Sequence, residues 1–335
     1  MALTTPEPPL DVAATFPELA TASRRATRLH PRRGEVGPHD SSLGGPLLWP
    51  SDDPWPLCDS PDHTDWDLIV GVPENATVRA IPLVPVLQLY ARDVPHLPFP
   101  DGTDLCQVLW CPAYHQPAMD PIAVVRWRNS SSVSPDAATP PPPASKSTNG
   151  ADSGSGAFQP TAATGAGLLT DPPQPGVDLG TGEFRPEPCR LHPEVVDEYP
   201  DGFALDDELR ERVETWARAN GWSYFAHLST APGTKAGGWP DWIQNPDPPD
   251  CTACGRSMDH LLTIASVECD GESWRRWVPM EELSARQLQP DGQPPAEAFA
   301  AEADAGLMIG DAGDYYIFVC THCPHRPTAT LSQCS

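Results

Sequence analysis

Apolar residues along this chain fall into short runs rather than long helical stripes. The runs are Leu83 to Ala91 (LVPVLQLYA), Cys106 to Pro112 (CQVLWCP), Ile122 to Trp127 (IAVVRW), Leu261 to Ser266 (LLTIAS) and Tyr315 to Pro324 (YYIFVCTHCP). Each is rich in branched or aromatic side chains and bounded by Gly, Pro or acidic turn residues, which predicts buried strands. One segment has the helical period: from Asp206 to Asn220, Leu209, Val213, Trp216 and Ala217 share a stripe, Asp206 and Asp207 suit the start and Gly221 follows the end. The next residues, WSYFAHL (Trp222 to Leu228), predict another strand, and a weaker helix is expected over Pro17 to His30. Ser284 to Ala305 is polar and alanine-rich and predicts a loop or short helix.

Between the apolar runs, residues 129–176 are almost devoid of large apolar side chains and rich in Pro, Ser and Gly. Such a segment cannot offset the entropy of ordering itself and predicts a flexible linker. It separates two parts that follow the same order. LGGPLLWP (Leu43 to Pro50), the run at 83–91, the turn at Asp101/Gly102 and the strand ending in Cys111-Pro112 make the first. AGGWPDWIQ (Ala236 to Gln244), the run at 261–266, the turn at Gly310/Asp311 and the strand leading to Cys323-Pro324 make the second. The organisation expected is therefore a tail with a weak helix at 1–34, a first repeat at 35–128, the linker at 129–176 and a second repeat at 177–335. The fold class expected is α+β and β-rich, with antiparallel sheets, an internal duplication and a C-terminal pair of cysteine knuckles.

Composition sharpens this. Of the 335 residues, 44 are prolines, which break helices and leave central strands, so the fold should be loop-rich. Forty-six acidic against 21 basic residues give a formal net charge of −25. That field opposes nucleic acid and attracts basic proteins or peptides. The arginines at 24, 25, 28, 32 and 33 are the one basic cluster. With no basic start followed by an apolar run, and no stretch of roughly 20 apolar residues, neither a signal peptide nor a membrane helix is expected. Ten cysteines are too few for a disulfide-stapled scaffold and fit a reducing cytoplasm.

The cysteines carry the clearest chemistry. Cys251/Cys254 and Cys320/Cys323 are two Cys-x-x-Cys knuckles, each able to aim two sulfurs at one ion. Together they supply the four thiolates of a closed tetrahedral zinc site, which has no open position for water and is structural. His322 and His325 lie beside the second knuckle as alternative ligands. A weaker constellation, Cys58, Cys106, Cys111 and His115, occupies the matching place in the first part and is a candidate second or partial metal site, or else buried thiols beside an imidazole. Cys189, Cys269 and Cys334 carry no pattern. Trp239 and Trp242, in GGWPDW, could face an extended peptide or fill the core, and the core is the simpler role; the same holds for Trp49 and Trp55. No nucleophile elbow, His-Glu-x-x-His helix, Walker loop or Rossmann fingerprint is present, and the Asp-Gly pairs at 101, 201, 270 and 291 read as turns.

Taken as a set, GGPLLWP, VPVLQLYARDVPHLPFPDGTDLCQVLWCP, GTKAGGWPDWIQ, CTAC, MDHLLTIAS and GDAGDYYIFVCTHCP resemble the YwqG-like bacterial proteins, built around a domain of unknown function. The second half is also similar to the eukaryotic programmed cell death protein 2 group. The resemblance covers most of 35–128 and 220–335. It implies a β-rich α+β fold with internal duplication, no established enzyme activity, Cys251, Cys254, Cys320 and Cys323 at metal-like positions, and Trp239 and Trp242 as peptide-facing. The eukaryotic relatives are regarded as dedicated chaperones of a very basic ribosomal protein; the finger domain inserted in them has no counterpart here. The expectation is a non-enzymatic zinc-binding protein that works by binding another protein, as a client-specific chaperone or an immunity-type partner. The alternative is a metal-dependent hydrolase or small-molecule-modifying enzyme with a cleft between the repeats, using Cys111 and His115 or His322 and His325. The client and the oligomeric state are not legible.

Overall fold

The computed structural model describes residues 2–60, 63–64, 80–133, 182–269, 271–282 and 305–334. Most of the predicted linker, from 134 on, lies outside these residues, as does 284–304 of the stretch expected as loop or short helix. The strands of the first part are β1 (Arg24–Arg28), β2 (Arg32–Arg33), β3 (Ser42–Leu43), β4 (Leu57–Cys58), β5 (His63–Thr64), β6 (Ile81–Pro82), β7 (Val84–Tyr90), β8 (Leu105–Trp110), β9 (Tyr114–His115) and β10 (Ala123–Arg128). Those of the second are β11 (Cys189–Arg190), β12 (Glu194–Glu198), β13 (Lys235–Gly237), β14 (Asp259–Ala265), β15 (Asp314–Val319) and β16 (Thr328–Gln333).

They form two six-stranded antiparallel sheets. One has the order β10-β8-β7-β3-β11-β2 and the other β12-β1-β13-β14-β15-β16. Four of the five predicted apolar runs are inner strands, β7, β8, β14 and β15. Every residue of β8 and β15 is buried. A run apolar on both faces needs cover on both, and it has it. Val86, Leu89, Val108 and Trp110 from one sheet and Leu262, Ile264, Tyr315 and Val319 from the other belong to one hydrophobic core. Across it Trp110 meets Tyr315 edge-to-face at 5.4 Å, and the Tyr315 hydroxyl donates to the Pro121 carbonyl at 2.7 Å. The run at 122–127, expected as a buried strand, is instead β10 at the sheet edge and only half-buried.

Two local expectations are corrected. The helix predicted over 17–30 stops after Pro17–Ala20, and Arg24–Arg28 is the strand β1, paired antiparallel to β12 on one side and β13 on the other. Two ladders of backbone hydrogen bonds override a weak helical pattern. The N-terminal segment is therefore part of the C-terminal sheet, while β11 crosses to the sheet of the first part. The strand predicted at 222–228 is a π-helical turn over Tyr224–Leu228, capped by Ser223. Tyr224 and Leu228 pack on Val213 and Ala217 of helix α1 (Asp207–Ala219), whose side-chain cap Asp206 is the one expected. A short apolar run fits either period, and here contact with the helix decides.

Where β1 leads into β2, a buried charge cluster ties the sheets to the C-terminal segment. Arg28 donates to the Trp277 carbonyl at 2.9 Å and to Thr5 Oγ1 at 2.7 Å, and pairs with Glu268 at 3.3 Å. His30 bonds Glu268 through Nδ1 and stands 3.2 Å from Glu194 through Nε2; Arg32 bonds Glu268 and Glu282. Burial alone would raise the Glu268 carboxyl, but the His30 hydrogen bond and charge, with Arg28 and Arg32, outweigh it and hold it far below its ordinary value. A depressed carboxylate contributes stability that is present above its unfolded pKa, about 4.3, and lost as pH falls toward the folded value. Thermal melts should therefore show a steep loss of stability below about pH 5. Glu268→Gln should cost about 3–5 kcal/mol at pH 7 and flatten that acid limb. An unchanged limb would remove Glu268 as its cause.

Candidate metal centre

The register of β14 and β15 brings the two knuckles together. Asp259 pairs with Val319, so the residues just before β14 and just after β15 share one end of the strand pair. The first knuckle is a closed loop: Asp250 bridges Ser257, the Cys251 N–H donates to the Arg256 carbonyl at 2.7 Å and the Gly255 N–H to the Cys251 carbonyl at 2.7 Å. Gly255 sits at φ +69°, a left-handed turn that Gly adopts without a Cβ penalty. In the second knuckle the Cys320 N–H donates to the Pro327 carbonyl at 2.9 Å, and the Thr321 hydroxyl ties back to Asp259 at 2.6 Å.

The four sulfurs lie within 4.8 Å of one another. Cys254 is 3.6 Å from Cys320, and Cys251 is 3.9 Å from Cys323. Sulfurs held at about 2.3 Å by one zinc in a tetrahedron stand about 3.8 Å apart, a spacing that these two separations match. Below the site Trp242, Met258, Tyr316 and Phe318 form an apolar floor with Cys251 and Cys320. Cys254 is exposed and Cys323 half-buried, so one side faces solvent.

Two of the four thiols, Cys320 and Cys323, are shifted in opposite directions by their surroundings. Burial raises Cys320, but the backbone N–H groups of Cys323 and His322 and the thiols of Cys251 and Cys254 outweigh it and hold this sulfur at about 6. Cys323 is pushed up to about 12 by the side chains of Cys254, Cys320 and Cys251 around it.

His322 and His325 are outside this cluster; His322 serves it through its backbone N–H. Of the weaker constellation, Cys58, Cys111 and His115 do converge, with ligand atoms within 4.8 Å and all three buried. Cys106 does not join them: it points into the main core, where burial raises its thiol far above the ordinary value. Cys189 is buried in that same core and Cys269 in another apolar cluster.

The GGWPDW segment packs inward at Trp242. This ring is 6% exposed and stacks on Phe318 at 6.0 Å with planes 20° apart, so it belongs to the core and not to a peptide groove. Trp239 donates Nε1–H to the Ala22 carbonyl at 3.0 Å, and its face is covered by Arg24, whose guanidinium carbon lies 3.4 Å from the ring centre. Trp49 and Trp55 pack against each other at 4.9 Å and donate to the carbonyls of Asp53 and Leu83, a core role. Behind Trp239 lies a pair that sequence reasoning missed. Lys235 and Glu198 are both fully buried with Nζ 3.0 and 3.1 Å from the carboxylate oxygens. Gly238, at φ +72°, passes so close to Glu198 that a Cβ there would overlap its carboxylate. Nothing in the local pattern announces the pair.

Other perturbed groups sit in satisfied networks. His227 accepts from the Ser223 N–H and lies 3.1 Å from the Glu272 carbonyl, and burial lowers it. His260 bonds Gly237 and Thr263, and burial lowers it to about 3. Asp201, raised to about 7 by burial and by Asp241, caps Phe203. A cavity of about 540 Å³ lies between Glu214, Trp222, His227, Trp274 and Arg275. No described helix is long and apolar enough to cross a membrane. No family model matches the chain, and neither does any curated protein.

Proposed function

We propose that this chain is a non-enzymatic, cytoplasmic zinc protein that acts by binding another protein, with the metal holding its C-terminal sheet together. The observation that carries the reading is the four-sulfur cluster, whose 3.6 and 3.9 Å separations leave an enclosed zinc no position for substrate or water. That closure weighs against the form of the hydrolase alternative that uses His322 and His325, which lie outside the cluster. A duplicated architecture and kinship with the YwqG-like proteins are part of the proposal. In their support, each sheet carries three consecutive antiparallel strands, β7-β8-β10 and β14-β15-β16, on one side of a Gly-flanked short strand.

The partner proposed is basic. The net charge of −25 supplies the attraction. Of the arginine cluster that could have served nucleic acid, Arg28 and Arg32 are drawn inward onto Glu268, while Arg24, lying over Trp239, Arg25, paired with Asp197, and Arg33 stay exposed. Affinity purification from native lysate should retain a basic protein at low salt and release it steeply by about 0.5 M, where screening shortens to a few ångströms. Retention of nucleic acid instead, or of nothing at any salt, would sink the reading.

A further inference from the structure

Cys58, Cys111 and His115 stand in the same strand register as the four-sulfur cluster. In the second sheet the bridge Asp250–Ser257 lies two residues before Asp259, which pairs with Val319, the neighbour of Cys320. In the first part Leu57 pairs with Pro82 in the small β4-β6 sheet, two residues before Val84, and Val84 pairs with Trp110, the neighbour of Cys111. Cys58 thus holds the position of Cys251, and Cys111 that of Cys320. Even the irregularity repeats, between Pro85 and Leu87 in one strand pair and between His260 and Leu262 in the other. Past Cys111 the chain turns into β9, where His115 stands close to the offset that Cys323 has from Cys320.

From this juxtaposition we infer a second metal site, a Cys58/Cys111/His115 centre for a thiophilic divalent cation, zinc being the first choice. The side chains fit. The Asp120 carbonyl lies 3.0 Å from His115 Nδ1, which fixes the ring and leaves Nε2 facing Cys58 Sγ at 3.5 Å. A zinc bound to one sulfur at about 2.3 Å and one nitrogen at about 2.0 Å sets those atoms about 3.5 Å apart. The three ligand atoms are mutually within 4.8 Å, and they sit in the apolar cluster of Leu47, Trp49, Ile81, Leu83 and Leu109. Among the described residues three ligands converge here rather than four, so the ion keeps one position for a water or a further ligand. The inference rests on strand register and ligand geometry, and stands or falls apart from the proposed partner binding.

The full-length chain, purified and reconstituted with Zn²⁺ alone, tests it through metal content and zinc-edge X-ray absorption. The expected result is two zinc per chain with an averaged shell of about three sulfurs to one nitrogen or oxygen. His115→Ala should hold about one zinc with an all-sulfur shell. His115→Cys should keep two and gain sulfur, which covers the case in which the alanine variant does not fold. Cys254→Ser reports separately on the other cluster, since it should lose zinc while nitrogen stays in the shell. One zinc with an all-sulfur shell in the unaltered chain, or a metal count that His115→Ala leaves unchanged in a folded protein, overturns the inference.

Discussion

Replacing Cys320 by serine should remove the metal from the C-terminal sheet and lower stability by about 5 kcal/mol, below the roughly 10–16 kcal/mol that structural zinc contributes in isolated finger peptides. For a chain of this size that is on the order of 10–20 °C in melting temperature. The effect is large because Cys320 is 1% exposed and continues β15 directly. Its sulfur closes one pair of the cluster with Cys254, and its knuckle is tied to β14 through Thr321 and Asp259. The loss should also be local. Hydrogen exchange should quicken in β14, β15 and β16 and much less in β7 and β8, whose core contacts do not involve the cluster. A strong chelator on the unaltered chain should reproduce the same pattern. Equal melting curves with and without chelator would mean that these sulfurs hold nothing that matters to folding.

Lys235→Ala should be comparably damaging for a different reason. Lys235 and Glu198 are both fully buried, and β13, which carries Lys235, is the strand that joins β1 to β14. Truncating the lysine leaves Glu198 with backbone donors alone, the Ala231 N–H at 2.8 Å and the Trp239 N–H. Removing one partner of a buried pair costs about 3–5 kcal/mol, mostly from the charge left behind. In the intact chain burial already raises the Glu198 carboxyl against the pull of Lys235. Without the lysine it should rise further, so the folded state favours the protonated acid. A raised carboxyl is least costly below the unfolded pKa, about 4.3, and increasingly costly as pH climbs toward the folded value. The deficit should therefore shrink from pH 8 to pH 5, and Lys235→Met with Glu198→Gln should recover most of it. A pH-independent deficit would assign the cost to lost packing rather than to the charge left behind, and no deficit would show the pair to be energetically neutral.

What was legible in the sequence was what depends on neighbours in sequence. β7 lies inside a predicted apolar run, and β8, β14 and β15 begin one or two residues before theirs, because strands buried on both faces announce themselves as continuous apolar stretches. The helix at Asp207–Ala219 was readable from its stripe and its Asp206 cap. The four cysteines were readable because two residues between thiols is a constraint of ligand geometry and not of fold. What failed depended on tertiary partners. Arg24–Arg28 looks helical until β12 and β13 flank it. Tyr224–Leu228 looks like a strand until it meets the helix. The buried ions were invisible: His30 and Glu268 are 238 residues apart, Lys235 and Glu198 are 37, and no spacing rule connects them. Trp242 shows the same limit, since a Gly-Gly-Trp-Pro segment reads alike whether its rings face a groove or, as here, Phe318.

The central claim, that Cys251, Cys254, Cys320 and Cys323 share one cation, is tested most directly by mapping which thiols a small alkylating reagent reaches in the native chain. Cys254 is exposed and Cys323 only half-buried, so accessibility alone makes both reactive at once. If a metal holds the set, all four should resist until a chelator is added and then react together. Immediate alkylation of Cys254 in metal-replete protein, with a rate that chelation does not change, would contradict the account.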